Sequence, residues 1–309
     1  MYSDVVRSGG YKRKLLDFFQ QEYGIEATGI SPAKRGFYGE TWRLDAANNS
    51  YFLKLVYATA HQAVYARSFP IIQHLCGHGI GFINQIIKTK DGRLSAQFDG
   101  AVLGAFDWID GENIETDATK FPEYQMLAKV YSVPVHGVAI PIEDFSGRSA
   151  NKFFEQWNAL EDEQVLSLLE NNRAIFEYRA KRLKTLARQC QGDAVDFFIT
   201  HGDAGGNYIV NGDRRFIVDW DDPMLAPPER DAWVMCGKDW AREAFEAALR
   251  RNGITYTLRP ERLAYYCYRF FFFYLTEFLK AFTQADTIEE YLEGWIKESL
   301  AYADEFQIN

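Results

Sequence analysis

The chain has 309 residues, 47% of them hydrophobic and 16% aromatic, enough apolar content to bury the core of one large domain or of two lobes. Its net charge is −9 at pH 7 and its Lys and Arg residues are scattered without a basic run, so neither nucleic acid nor an anionic membrane is expected as a partner. Four widely spaced cysteines, Cys76, Cys190, Cys236 and Cys267, form no CxxC pair; this argues against a zinc site or a disulfide framework and fits a reduced cytoplasm.

The opening stretch MYSDVVRSGGYKRK has no apolar run after its basic residues and so does not read as a secretory signal. A helix is expected near Tyr11–Tyr23. Strands follow at Gly29–Lys34, Glu40–Leu44 and Tyr51–Val56, with a polar turn over Ala46–Ser50. Between the first two strands lies Arg35-Gly36-Phe37-Tyr38-Gly39. With Gly36 and Gly39 this segment either closes over phosphates through unobstructed backbone N–H groups or is a simple hairpin turn. Lys54 is a lone cation in Phe52-Leu53-Lys54-Leu55-Val56. Strand alternation puts Phe52, Lys54 and Val56 on one face and Leu53 and Leu55 on the other. The helix expected over Thr59–Cys76 carries no acidic residue, nor does any position between Lys54 and Phe82.

Further strands are expected at Gln85–Lys90, Leu94–Phe98 and Ala101–Trp108, with a turn at Asp91-Gly92. Beyond Gly111 the pattern turns helical: Tyr124–Val133, then Asn151–Cys190 with breaks at Glu161-Asp162-Glu163 and Asn171-Asn172. The C-terminal part reads as helices over Glu229–Lys238, Asp239–Asn252, Pro260–Thr283 and Thr287–Phe306. The aromatic run from Tyr265 to Tyr274 is either a buried core helix or, with Tyr291 and Trp295, the wall of a pocket for a cation. Its most apolar window, Phe270–Thr276, is too short to span a bilayer.

The segment ITHGDAGGNYIVNGDRRFIVD, Ile199–Asp219, concentrates the chemistry. His201-Gly202-Asp203 forms a loop after an apolar stretch, Asn207 opens a strand, Asn211-Gly212 signals a tight hairpin, and the return strand Phe216-Ile217-Val218 ends at Asp219. Asp203, Asn207 and Asp219 are thereby expected at one end of an antiparallel pair. Phosphoryl transfer needs such a set: one carboxylate to orient a hydroxyl and take its proton, and an amide oxygen with a second carboxylate to hold Mg²⁺, a hard cation that prefers oxygen.

HGD with a following Asn, then VDWD, then Pro227-Pro228-Glu229-Arg230-Asp231 resembles the aminoglycoside phosphotransferase and choline kinase superfamily, and DWDDPMLAPPERD is most similar to its spectinomycin phosphotransferase branch. The resemblance spans about residues 29 to 300. It implies an α+β, protein kinase-like fold of two lobes, with a β-rich N-lobe over 1–107 and a mainly helical C-lobe over 108–309. It further implies ATP and Mg²⁺ as cofactors, Asp203 as catalytic base, Asn207 and Asp219 as metal ligands, Lys54 on the α- and β-phosphates, and Gly36 and Gly39 in the lid. Phe106-Asp107-Trp108-Ile109 resembles the hinge that recognises adenine: the Asp107 carbonyl and Ile109 N–H would contact the base, with Phe106 behind it. His201 and Asp231 would be structural. Asp221 and Asp222 lie next to Asp219, where either could reach the metal or a substrate amine; alternation puts Asp221 on the same side as Asp219 and favours it. The chain departs from the pattern in two places: three residues rather than four separate Asp203 from Asn207, and the helix glutamate that should pair with Lys54 is missing, for which Glu40 is a possible substitute.

The expected acceptor is the hydroxyl of a small molecule, because Pro227 follows Asp219 too closely to leave a docking segment for a protein. Glu277, Asp286, Glu289, Glu290 and Glu293 suggest a cationic, aminoglycoside- or aminocyclitol-like compound, or else form a solvated helix face. The alternatives are a metabolic kinase for choline, an amino alcohol, homoserine or a sugar, and a nucleotide-binding relative without turnover.

Overall fold

The computed structural model describes residues 7–33, 39–192, 195–281 and 284–308. The chain divides into two compact units: residues 1–119, 133–141 and 206–223 form one, and residues 120–132, 142–205 and 224–309 the other.

In the first unit, helix α1 (Gly9–Tyr23) begins at Ser8, whose side chain accepts from the Tyr11 N–H, the usual device for satisfying an orphan donor at a helix start. Its buried residues Leu15, Phe19 and Tyr23 recur every four positions and so line one face. That face packs on a five-stranded antiparallel sheet built from β1 (Ala27–Pro32), β2 (Glu40–Ala46), β3 (Ser50–Val56), β4 (Ala96–Phe98) and β5 (Ala101–Asp107) in the order β1-β2-β3-β5-β4. Leu44, Leu53, Leu55, Phe98 and Leu103 complete this core. Each buried leucine contributes about 2 kcal/mol of hydrophobic transfer. Helix α2 (Thr59–Gly77) carries Tyr65 and Phe69, and Phe69 meets the Phe106 ring edge-on at 5.4 Å.

The expected strand over Gln85–Lys90 forms only a bridge, Ile86 opposite Phe106. One edge of β5 is taken by β3; on the other, β4 pairs with residues 101–103, which leaves only the end of the strand for residues 85–87. The second sheet of this unit consists of β6 (Glu112–Asn113), β8 (Tyr208–Asn211) and β9 (Arg214–Ile217) in the order β6-β8-β9, where β7 (Phe198–Thr200) precedes them in the chain but belongs to the other unit. Asn211 pairs with Arg214, so the hairpin turns on Gly212-Asp213, one residue later than the Asn-Gly signal suggests.

The second unit is helical: α3 (Asp117–Tyr131) enters it, followed by α4 (Arg148–Asn158), α5 (Glu163–Asn171) and α6 (Arg173–Gln191), with the breaks where the polar clusters predict them. Strand β7 pairs antiparallel with β10 (Met224–Ala226). Then come α7 (Glu229–Ala232), a 3₁₀ turn over Trp233–Met235, α8 (Asp239–Arg251), α9 (Pro260–Ala281), α10 (Ala285–Glu293) and α11 (Ile296–Glu305). The helix expected over Glu229–Lys238 is thus a single α turn, and Gly294 with Trp295 splits the last expected helix in two. Helix α9 packs against α4, α6 and α11, and Tyr265, Tyr266, Tyr268, Phe271 and Phe272 are fully buried, which makes most of the aromatic run core. Among the described residues no helix is long and apolar enough to cross a membrane.

Candidate active site

Lys54 sits on β3 between Thr41 of β2 and Gly104 of β5 and points away from the leucine core. Its ammonium is buried, 5.3 Å from the centre of the Tyr65 ring of α2, and pairs with Asp219 and with Asp221, the latter at 2.5 Å. Burial alone would lower the proton affinity of this lysine; the charges of Asp219 and Asp221 outweigh it and hold Lys54 above its ordinary range. Asp221 is pushed up, first by burial and then by the neighbouring Asp219 charge.

The hairpin supplies this carboxylate pair for local reasons. The Val218 N–H donates to the Asn207 carbonyl at 3.0 Å, which sets Asn207 and Asp219 on either side of the open end of β8 and β9. Trp220 is buried and its Nε1 donates to the Ile217 carbonyl at 3.0 Å, so the chain turns sharply there. Asp219 adopts φ 64°, a conformation that costs most L residues free energy, and the Asp221 N–H donates to the Asp219 carbonyl at 2.8 Å. The amide of Asn113 on β6 donates to the Gly206 carbonyl and ties the loop before Asn207 to the sheet.

Asp203 belongs to the other unit, on the loop after β7. Asp231, at the start of α7, accepts from the backbone N–H of His201 at 3.1 Å, from that of Gly202, and from the Tyr131 hydroxyl at 2.7 Å. The Asp203 N–H donates to His201 Nδ1 at 3.1 Å, so His201 shapes the loop. Arg230 donates to the Thr200 hydroxyl at 3.1 Å, and its guanidinium lies against Gly202, which has φ 90° and no room for a Cβ. The Asp203 side chain itself is exposed, and Tyr274 of α9 donates its hydroxyl to Asp203 Oδ1 at 2.9 Å.

The nucleotide-side candidates are less evenly placed. Gly36 lies outside the described residues. Gly39 stands directly against the Leu55 carbonyl, where a Cβ would collide with the backbone. Phe106 is buried between Phe52 and Phe69. Asp107 exchanges backbone contacts with Gln85, its N–H donating to the Gln85 carbonyl at 3.0 Å and its carboxylate accepting from the Gln85 N–H, and burial raises its proton affinity. Ile109 is half-buried just beyond β5. Glu40 is not the substitute partner of Lys54: Arg7, Tyr11 and Trp42 all bond its carboxylate, and Asp221 takes that role instead.

Sequence reasoning assigned Arg230 no role and read Tyr274 only as part of an aromatic run. For Tyr274 the available signal was a hydroxyl at the edge of an otherwise apolar helix face. The donors beside Lys54 are carboxylates, with an amide across the hairpin end; this all-oxygen set suits a hard divalent cation that keeps part of its water.

The sequence model of the APH family, the phosphotransferase enzyme family, matches residues 29–270. Among solved structures, a spectinomycin phosphotransferase in complex with ADP and spectinomycin aligns with a TM-score of 0.75 at 20% identity, over 95% of this chain and 97% of that one. A choline kinase from Streptococcus pneumoniae aligns with a TM-score of 0.68 at 11% identity, over 96% and 100%. A macrolide 2′-phosphotransferase from Brachybacterium faecium gives 0.59 at 13%, over 96% and 99%. No curated protein matches the sequence significantly. These likenesses establish a kinase-like fold with a small antiparallel N-lobe sheet and a helical C-lobe. With a family match over most of its length, the chain belongs to the phosphotransferase enzyme family and is one of its small-molecule phosphotransferases.

Proposed function

We propose that the protein transfers the γ-phosphoryl group of ATP to a hydroxyl of a small cationic acceptor, an aminoglycoside- or aminocyclitol-like molecule. The observation that carries this reading is the pairing of the buried Lys54 ammonium with Asp219 and Asp221, because it joins a phosphate-binding cation to metal-binding carboxylates. On this reading residues 1–107 supply Lys54, the glycine lid with Gly36 and Gly39, and the adenine contacts at Phe106, Asp107 and Ile109; residues 108–309 supply the catalytic loop and the metal ligands.

Asp203 accepts the proton of the acceptor hydroxyl, the new O–P bond forms, the bond from the γ-phosphorus to the bridging oxygen breaks, and ADP leaves. Lys54 offsets negative charge on the α- and β-phosphates. Asn207 and Asp219, with Asp221 beside them, would hold Mg²⁺, which when bound neutralises charge developing on the phosphates. An acidic chain with net charge −9 favours an amine-bearing acceptor. A related structure that carries spectinomycin supports the aminocyclitol class. A choline-like base is the second reading, favoured by the exposed Trp295 ring, a surface for a quaternary ammonium.

The test is calorimetric titration of ATP with and without Mg²⁺ in wild type and Asp219→Ala. Binding should depend on Mg²⁺ in the wild type and lose that dependence in the variant. Equal affinity under all four conditions would remove the metal role of Asp219 and with it the main support for the reading.

A further inference from the structure

Tyr274 lies at the edge of the buried face of α9: Phe271, Phe272 and Leu275 are fully buried, Phe273 is exposed, and Tyr274 is half-buried. Its hydroxyl reaches Asp203 Oδ1 at 2.9 Å across 71 residues of sequence. Its ring is met edge-on by Trp295 at 5.4 Å and 83°, and Tyr291 and Phe278 lie at 6.3 and 6.5 Å. Those neighbours do not depend on the hydroxyl. The ring is fixed by packing, so the hydrogen bond is made by a donor with little rotamer freedom left to lose.

We infer that Tyr274 is a positioning residue for Asp203. The inference rests on the reading of Asp203 as the base and adds a residue to it. An exposed aspartate samples several rotamers, and a base must present its carboxylate in one orientation to the incoming hydroxyl. A fixed donor on Oδ1 sets the plane of the carboxylate. Because the bond is made to the charged form, it also favours that form and keeps Asp203 ready to accept a proton at lower pH. Trp295 acts behind it: by meeting the Tyr274 ring edge-on it holds the hydroxyl on target.

The experiment compares wild type, Tyr274→Phe and Asp203→Asn, with two measurements on each. The first is the titration of the Asp203 carboxyl carbon by NMR in protein labelled at the aspartate side chains, its resonance assigned by its loss in Asp203→Asn. The second is the pH dependence of Mg·ATP hydrolysis with water as the acceptor, which needs no identified acceptor. Tyr274→Phe keeps every ring contact and deletes only the oxygen. The Asp203 titration should move upward by roughly half to one pH unit, the scale of one hydrogen bond. The acid limb of turnover should move with it, and Asp203→Asn should lose turnover by at least about 10²-fold. If Asp203→Asn loses turnover while Tyr274→Phe leaves both the titration and the acid limb in place, the positioning role is overturned and the base assignment stands. If Asp203→Asn retains turnover, the base assignment fails and the inference fails with it.

Discussion

On the proposed reading, Lys54 and Asp219 are a single pair of side chains that ties stability to chemistry. The lysine is buried and its partners are not equally so: the Asp219 side chain retains 46% of its exposure and Asp221 24%. Water screens the Asp219 contact, so the pair adds less to stability than its short geometry suggests. The larger effect belongs to ligand binding. Lys54→Met should weaken Mg·ATP binding by about 10- to 100-fold, the worth of one charge-assisted hydrogen bond to phosphate. Isothermal titration against wild type measures it, and unchanged affinity would move the phosphate contact elsewhere.

At the scale of elements, Gly39 passes close over β3 just before β2 begins. A methyl group there would meet the Leu55 carbonyl and the Val56 side chain, while one at Gly206 would meet nothing within 4 Å. Gly39→Ala should therefore destabilise the protein by about 2 kcal/mol, as overpacking against immobile backbone does, and Gly206→Ala should be close to neutral. Urea midpoints of the two variants test this; equal midpoints would mean the backbone at Gly39 yields freely. Elements whose pattern is local were legible in the sequence. The alternation around Lys54, the amphipathic α1 and the breaks between α4, α5 and α6 all follow from spacing and polar clusters. The hairpin was legible in kind but one residue out in register, because pairing with β6 and the Asn207–Val218 bond fix it from outside the turn. The strand expected at 85–90 failed because two segments share one edge of β5, a tertiary fact no propensity encodes. At the candidate site, motif spacing pointed to Asp203, Asn207 and Asp219. For Tyr274 the sequence offered only a hydroxyl on an apolar helix face; its partner Asp203 was not legible, since it depends on how α9 is rotated in its own unit.

Across the whole molecule, charge and burial set two dependences on conditions. Glu229 is fully buried in the PPERD segment, accepting from the Arg259 N–H at 2.6 Å and from the Tyr256 hydroxyl at 2.9 Å. Burial pushes its carboxyl up to about 7 despite these donors. A carboxyl raised on folding contributes stability that is complete below its unfolded pKa and is lost as pH rises through the folded value. Stability should therefore fall between about pH 4.5 and 7 by on the order of 3 kcal/mol from this group. Glu229→Gln should flatten that decline in a Tm series from pH 5 to 8; parallel slopes in the two proteins would place the titrating group elsewhere. The second dependence concerns the acceptor. Among hydroxylated compounds of similar size, amine-bearing acceptors should be phosphorylated best, with KM rising as salt screens the attraction. A best acceptor that is anionic would refute the cationic class and leave phosphotransfer intact.

The missing acidic residue on α2 has one more implication. In protein kinases the strand lysine is paired by a mobile helix, and control of that helix is control of the enzyme. Here both carboxylates that neutralise Lys54 come from the segment just after β9, and α2 offers only the Tyr65 ring. A displacement of α2 would leave the ammonium neutralised. On the proposed reading, the pairing that readies Lys54 for phosphate is therefore supplied by the segment after β9 and not by α2.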